Sequence, residues 1–257
     1  MSANPGGQGA APPLPEGPAR DARFRVVDHW TGMANFPVGD PQRRFEFFHR
    51  QMNEEVDSLE CAARNLADFA SAEWDLRLCL ARQCADEARH ARMFRRFFER
   101  AGGRVGQFPV ISFQYRIVTA IPDLLGRLAV QNRSFEAGGI DAIAAEIANC
   151  RDDPAQCELF EAQLADEIAH VRFANEHINK AIRSDSRAVL AIGRALALAS
   201  EAFAALMGNA ATDGATHAAD RQGRLEAGFR DDEIALAEAA AHKIRADEAA
   251  RKRARDG

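Results

Sequence analysis

Apolar positions along the chain recur at helical spacing in long runs bounded by capping and breaking residues. Asp40-Pro41 opens the first run, with Pro at a first helical position. Phe45, Phe48, Met52, Leu59 and Leu66 carry it to about Ala70. A second run starts near Ser71, passes through Leu76, Leu80, Cys84, Met93 and Phe97, and stops at Gly102-Gly103. Residues 104–121 are less regular and predict a long crossover with room for a short helix. A third helix is expected from Pro122-Asp123 to about Asn149, with Gly138-Gly139 as a possible site of a kink or close approach. A fourth runs from Asp153-Pro154 to about Arg183. Beyond it lie an apolar helix near Ser186–Met207, a polar glycine-containing loop, and a charged helix near Asp231–Arg253.

The expected fold is therefore all-α: a four-helix bundle over 41–183 with a long connection between its second and third helices. Residues 1–20, rich in Pro, Gly and Ala, predict a disordered tail. Residues 21–40 predict an ordered arm on the bundle, and 184–257 two accessory C-terminal helices. The apolar helix should pack on the bundle or on a second subunit, which admits a homodimer.

Composition adds exclusions. The formal net charge of −5 argues against a nucleic-acid partner. The basic end Lys252-Arg253-Ala254-Arg255 reads as a solvated helix terminus. No basic-then-apolar leader opens the chain. The apolar stretch around Ala188–Leu198 carries Arg194 and is expected to be too short to span a membrane, so the cytoplasm is the expected location. Five cysteines without a CxxC pair predict buried free thiols in a reducing compartment, with neither a disulfide framework nor a zinc–thiolate site.

The chemistry lies in a duplication. Ala85-Asp86-Glu87-Ala88-Arg89-His90 and Ala165-Asp166-Glu167-Ile168-Ala169-His170 repeat Asp-Glu-x-x-His within two long helices. A spacing of three puts each Glu and His on one helix face. Glu55 stands 32 residues before Glu87, and Glu136 stands 31 before Glu167. For antiparallel helices joined by a short turn, that distance returns the chain to the same height. Each half thus brings one lone Glu and one Glu-x-x-His to mid-bundle. A solvated face explains one such motif, but not the duplicated set, because buried carboxylates are costly without a cation or partner. The expected metal ligands are Glu55, Glu87, His90, Glu136, Glu167 and His170, with Glu55 and Glu136 as the candidate catalytic carboxylates. Glu54 and Glu60 compete with Glu55, which is favoured by its spacing. A metal histidine needs an acceptor for its other ring nitrogen. Asp86 and Asp166 are expected to fill that role, each for the histidine of the opposite motif.

Asp86-Glu87-Ala88-Arg89-His90 matches the DEARH form found in the ferritin-like superfamily of dinuclear carboxylate proteins, which the chain resembles over 41–183. The stretches Asn53–Glu60 and Phe135–Asp141 are similar to an uncharacterised bacterial ferritin-like family. The resemblance implies two iron ions, with iron–manganese or two manganese ions also compatible with oxygen and nitrogen donors. It implies an oxidoreductase that activates dioxygen and oxidises a small organic substrate. Electrons would come from a separate donor, since no flavin or pyridine-nucleotide motif is present. The alternative is a non-catalytic or ferroxidase-type iron-binding or storage protein. His177 shares a face with His170 and admits two readings: an extra ligand, as in some N-oxygenase relatives, or a satisfied bundle histidine. Tyr115, the only tyrosine, falls in the crossover and is not expected to face the metals.

Overall fold

The computed structural model describes residues 14–150, 152–207 and 217–256. The described residues are all-α, a helical bundle with one isolated parallel bridge, Val26 to Val110, and no strand. Helix α1 spans Pro41–Asp68 and α2 spans Trp74–Arg100. The Asp40 carboxylate accepts a hydrogen bond from the Gln42 amide at 2.8 Å, satisfying a free donor at the start of α1. The crossover holds a short helix, α3, Phe113–Thr119.

The third long stretch is composite: α4 (Leu124–Val130), a π-helical segment (Gln131–Glu136) and α5 (Ala137–Asn149). The irregularity expected at Gly138-Gly139 therefore lies just before it. A Cβ at either glycine would meet no atom within 4 Å, so neither marks a close approach. Helix α6 spans Pro154–Ser184, and Asp153 caps it by accepting from the Gln156 amide at 3.2 Å. The accessory region contains α7 (Ala188–Met207), a short unforeseen α8 (Arg221–Glu226) and α9 (Asp231–Asp256). The basic end at 252–255 is the last turn of α9. The glycine-containing loop expected after α7 falls largely outside the described residues.

Helices α1 and α2 pack along their length, as do α5 and α6, and α2 meets α6 across the bundle. Phe48, Met52, Phe94, Phe98 and Phe160 fill one level of the interior. Leu76, Leu80, Leu128, Ala174 and Ile178 fill another. The polar cluster described below lies between these levels along each long helix.

Three expectations need correction. First, the tail expected over 1–20 is packed from residue 14 onward; residues 1–13 lie outside the described residues. Leu14 joins the cluster around Ile117 and Val118. The Arg20 side chain is buried, bonding Asn53 (2.9 Å), Asp57 (3.2 Å) and Glu60 (2.7 Å) on α1. One buried ion-pair anchor outweighs a Pro/Gly-rich composition. The arm that follows passes close to Gly106, whose φ is +83° and where a Cβ would lie 2.1 Å from the Arg23 carbonyl oxygen. Only glycine fits there.

Second, Cys150 and Cys157 form a disulfide across the α5–α6 turn. The turn at Asp153-Pro154 folds the chain back, bringing the two Cα atoms to 5.5 Å despite the lack of a CxxC spacing. Cys61, Cys79 and Cys84 are free thiols, Cys61 fully buried. Third, the apolar stretch does not end at Leu198. It continues past Ser200-Glu201 to Met207, making α7, at 20 residues, long and apolar enough to cross a membrane. One side of α7 packs on α3 and α4 through Ala195, Ala199, Ala202 and Leu206. Val189, Leu190, Leu196 and Phe203 remain exposed.

Candidate metal centre

Each long helical stretch turns from apolar to polar at the same height. On α1 the buried face passes from Phe48 and Met52 to Glu55 and Ser58. On α2 it passes from Leu80 to Gln83, Glu87 and His90, then back to Phe94. On α6 it passes from Phe160 to Gln163, Glu167 and His170, then to Ala174. The composite third stretch contributes Gln131, Asn132 and Glu136.

These side chains make two donor sets. Glu55, Glu87, His90 and Glu167 form one; Glu87, Glu136, Glu167 and His170 form the other. In each set one ligand-type atom per residue lies within 4.8 Å of all the others, and every member is buried. Glu87 and Glu167 belong to both. All six residues expected from the sequence are thus brought together. Among the three first-helix candidates, Glu55 enters the cluster. Glu54 pairs with Arg50 at 3.0 Å and Glu60 with Arg20 at 2.7 Å.

Both imidazoles aim Nδ1 into the cluster. His90 Nδ1 lies 3.2 Å from Glu87 and 3.3 Å from Glu55. His170 Nδ1 lies 3.5 Å from Glu87 and 3.6 Å from Glu167. The opposite ring nitrogens point outward and across the halves. His90 Nε2 is 3.1 Å from Asp166, and His170 Nε2 is 3.2 Å from Asp86. Arg82 pairs with Asp86 at 3.1 Å and Arg89 contacts Asp166, so each aspartate is held from outside as well. The His170 hydrogen bond, reinforced by Arg82, holds the Asp86 carboxyl down at about 2. An ionised aspartate on Nε2 leaves Nδ1 as the nitrogen facing the carboxylates.

Burial and mutual contacts shift the site's titrating groups away from their ordinary values. Burial raises the Glu55 and Glu136 carboxyls well above the ordinary range, and Glu167 adds to this at both. Burial opposes charge on His90, but hydrogen bonds to Glu55 and Glu87 and the attraction of Glu55 and Glu167 override it and lift His90 to about 10. His170 is likewise raised despite burial, by Asp86 and the glutamates. Burial also opposes charge on Glu87, yet its contacts with His90 and His170 bring it below the usual glutamate value. Two atoms of the cluster, His170 Nδ1 and Glu167 Oε2, are buried without a hydrogen-bond partner. Orphaned donor atoms among four carboxylates and two imidazoles fit divalent cations.

A shell of amides, not foreseen in the sequence, surrounds the carboxylates. Gln83 Nε2 donates to Glu136 and, at 3.4 Å, to Glu87. Gln163 Nε2 donates to Glu55 at 2.8 Å and to Glu167 at 3.4 Å. Each glutamine thus ties its own helix's glutamate to the lone glutamate of the other half. Both stand four residues before their Glu, so the repeat extends to Gln-x-Ala-Asp-Glu-x-x-His, a signal present in the sequence. Ser58, Gln131 and Asn132 complete the shell.

His177 lies outside both donor sets, near Glu73 and Lys180, and burial lowers its basicity. The structure thus places it as a bundle histidine. Tyr115 sits on α3, where its backbone amide donates to Asp57 at 3.1 Å.

No curated protein and no solved structure matches the chain. A family model does match, over residues 2–235, and spans the arm, both donor sets and α7. The chain belongs to the family described as "Protein of unknown function (DUF455)".

Proposed function

We propose that the chain is a dinuclear non-haem iron oxidoreductase that uses dioxygen to oxidise a small organic substrate, built on a ferritin-like four-helix bundle. The observation that carries this reading is the pair of four-residue donor sets sharing Glu87 and Glu167. Two carboxylates common to both sets can bridge two cations. Four glutamates with neutral imidazoles balance two divalent charges, which removes the cost of burying the carboxylates. Two irons suit the donors; an iron–manganese or two-manganese pair suits them as well.

When bound, the cations supply the redox chemistry toward dioxygen, with electrons from a separate donor. The chain's own residues supply the rest. Glu87 and Glu167 would hold both cations, while Glu55 and Glu136 would each serve one. Asp86 and Asp166 keep protons on the Nε2 atoms of His170 and His90, which leaves Nδ1 free to ligate. The aromatic level around Phe48, Phe94 and Phe160 and the aliphatic level around Leu80 and Ala174 keep bulk water from the site.

The test is a single turnover of the reduced, metal-loaded protein with dioxygen and a metabolite extract. The proposal expects dioxygen consumption coupled to loss of one metabolite. Repeated iron uptake with mineral formation, indifferent to any metabolite, would favour storage instead. No dioxygen consumption at full metal occupancy and confirmed reduction would defeat both.

A further inference from the structure

Glu55 and Glu136 occupy corresponding places in the two donor sets but differ in what already binds their oxygens. An ionised carboxylate has about four acceptor positions, two per oxygen. Around Glu136, three donors converge on Oε1: Gln83 Nε2, Gln131 Nε2 at 3.2 Å and Ser58 Oγ at 3.2 Å. Asn132 Nδ2 donates to Oε2 at 2.8 Å. Ser58 has one proton, and Glu87 competes for it at 2.9 Å. Gln131 Nε2 has two protons for three acceptors, Ser58 Oγ at 2.8 Å, Gln114 Oε1 at 3.1 Å and Glu136, so with Ser58 turned to Glu87 the amide of Gln83 holds Oε1 and that of Gln131 is shared. Glu136 thus carries an amide donor on each oxygen, Gln83 on Oε1 and Asn132 on Oε2, with Gln131 as a shared third. Glu55 has a single amide neighbour, Gln163 Nε2, on Oε1. Its Oε2 faces His90 Nδ1, which must give up its proton before it can ligate.

The amide shell is rigidly based. Gln83 and Gln131 are buried, as is Asn132. The π-helical segment is what sets Gln131, five residues before Glu136, on the same face as the carboxylate, because its repeat is i to i+5. Gln83 Oε1 in turn accepts from Asn132 Nδ2 at 3.2 Å, which orients both amides with their N–H groups toward Glu136.

We infer that the two cation positions are inequivalent: Gln83 and Asn132, with Gln131 shared, draw on both oxygens of Glu136, whereas Glu55 keeps Oε2 clear of amides and ligates more strongly. The Glu55–His90 position therefore holds its cation more tightly and fills first. Preorganisation of Glu136 does not offset this, because Glu55 is equally buried and already steadied by Gln163. The inference rests on the dimetal reading proposed above.

Cobalt(II) titration of the metal-free full-length protein tests it, read by visible absorbance and by equilibrium dialysis. Wild type should bind two equivalents with dissociation constants at least about tenfold apart, the scale of effects from groups that hydrogen-bond metal ligands. Glu55→Ala should remove the tighter step and Glu136→Ala the weaker. Gln83→Ala or Asn132→Ala should strengthen the weaker step and narrow the gap, while Gln163→Ala should leave the order unchanged. Circular dichroism checks that each variant is folded; if the amide variants are not, wild type and the glutamate variants still decide. Two equal steps in wild type, or a tighter step that survives Glu55→Ala and vanishes in Glu136→Ala, would overturn the inference and leave the dimetal reading standing. Failure of wild type to bind cobalt at all would overturn both.

Discussion

Phe48, Phe94 and Phe160 share helix faces with Glu55, His90 and Glu167, one or two turns away, yet the two levels obey different rules. In the aromatic level Phe48 stacks on Phe160 with ring centroids 6.3 Å apart, and Phe94 meets Phe160 edge-on at 6.1 Å. These contacts are non-directional for the most part, and what matters is filled volume. In the carboxylate level directional hydrogen bonds link glutamates, histidines and amides, and His170 Nδ1, Glu167 Oε2 and the side-chain oxygens of Gln131, Asn132 and Gln163 are left without partners. A level built for stability alone would not leave them so. The bundle is held by its apolar levels, and the polar level carries the buried Glu and His donors that could hold a metal ion.

Single substitutions should separate the two. The largest effect is expected from Glu87→Ala, because Glu87 belongs to both donor sets. Metal analysis should find both cations lost while circular dichroism remains helical. Phe160→Ala should do the reverse. Chemical denaturation should show a loss of about 3–5 kcal/mol, typical of removing a buried Phe side chain, with metal per folded chain unchanged. If Phe160→Ala removed metal as effectively as Glu87→Ala, the two levels would not be separable.

Next in size are Asp86→Ala and Asp166→Ala. Each strips the acceptor from one histidine's Nε2 without touching a donor set. Cation affinity should fall about 10–100-fold, less than on replacing His90 or His170. An equal or larger loss at either aspartate, with the fold intact, would make it a direct ligand.

The smallest expected effect concerns pH. In the metal-free protein His90 is raised from 6.5 to about 10, and Glu55 and Glu136 are raised too. At these three groups the metal-free folded state holds protons that the unfolded chain gives up. The stability contributed by His90 is fully present below pH 6.5 and is lost as pH rises through about 10. The raised carboxyls act in the same direction. Cations displace these protons, so metal uptake in weak buffer should release acid, and affinity should climb with pH. Thermal unfolding of metal-free protein that is indifferent to pH across this window would contradict the proton-filled pocket.

Much of the site was legible because covalent spacing alone encodes it. Glu87 with His90, and Glu167 with His170, are each three residues apart on one helix, and Glu55 and Glu136 follow from the height at which a hairpin returns. Gln83 and Gln163 repeat in register and were equally accessible. Asn132 and Gln131 were not, because the π-helical segment shifts the register by which faces are counted. The Cys150–Cys157 bond depends on the geometry of a turn, and the docking of residues 14–20 depends on Arg20 finding Asp57 and Glu60 on a distant helix. Such long-range pairings leave no periodic trace. The extent of α7 was legible, but its apolar run was cut at Leu198 because Ser200-Glu201 breaks the hydropathy without breaking the helix.

The central claim is that Glu87 and Glu167 are shared between two cations. Anomalous diffraction from crystals grown with a divalent transition metal locates such ions directly. The account predicts two anomalous peaks per chain, both liganded by Glu87 and Glu167, one beside Glu55 and His90 and the other beside Glu136 and His170. A single peak, or peaks that leave either shared glutamate unliganded at full occupancy, would contradict it.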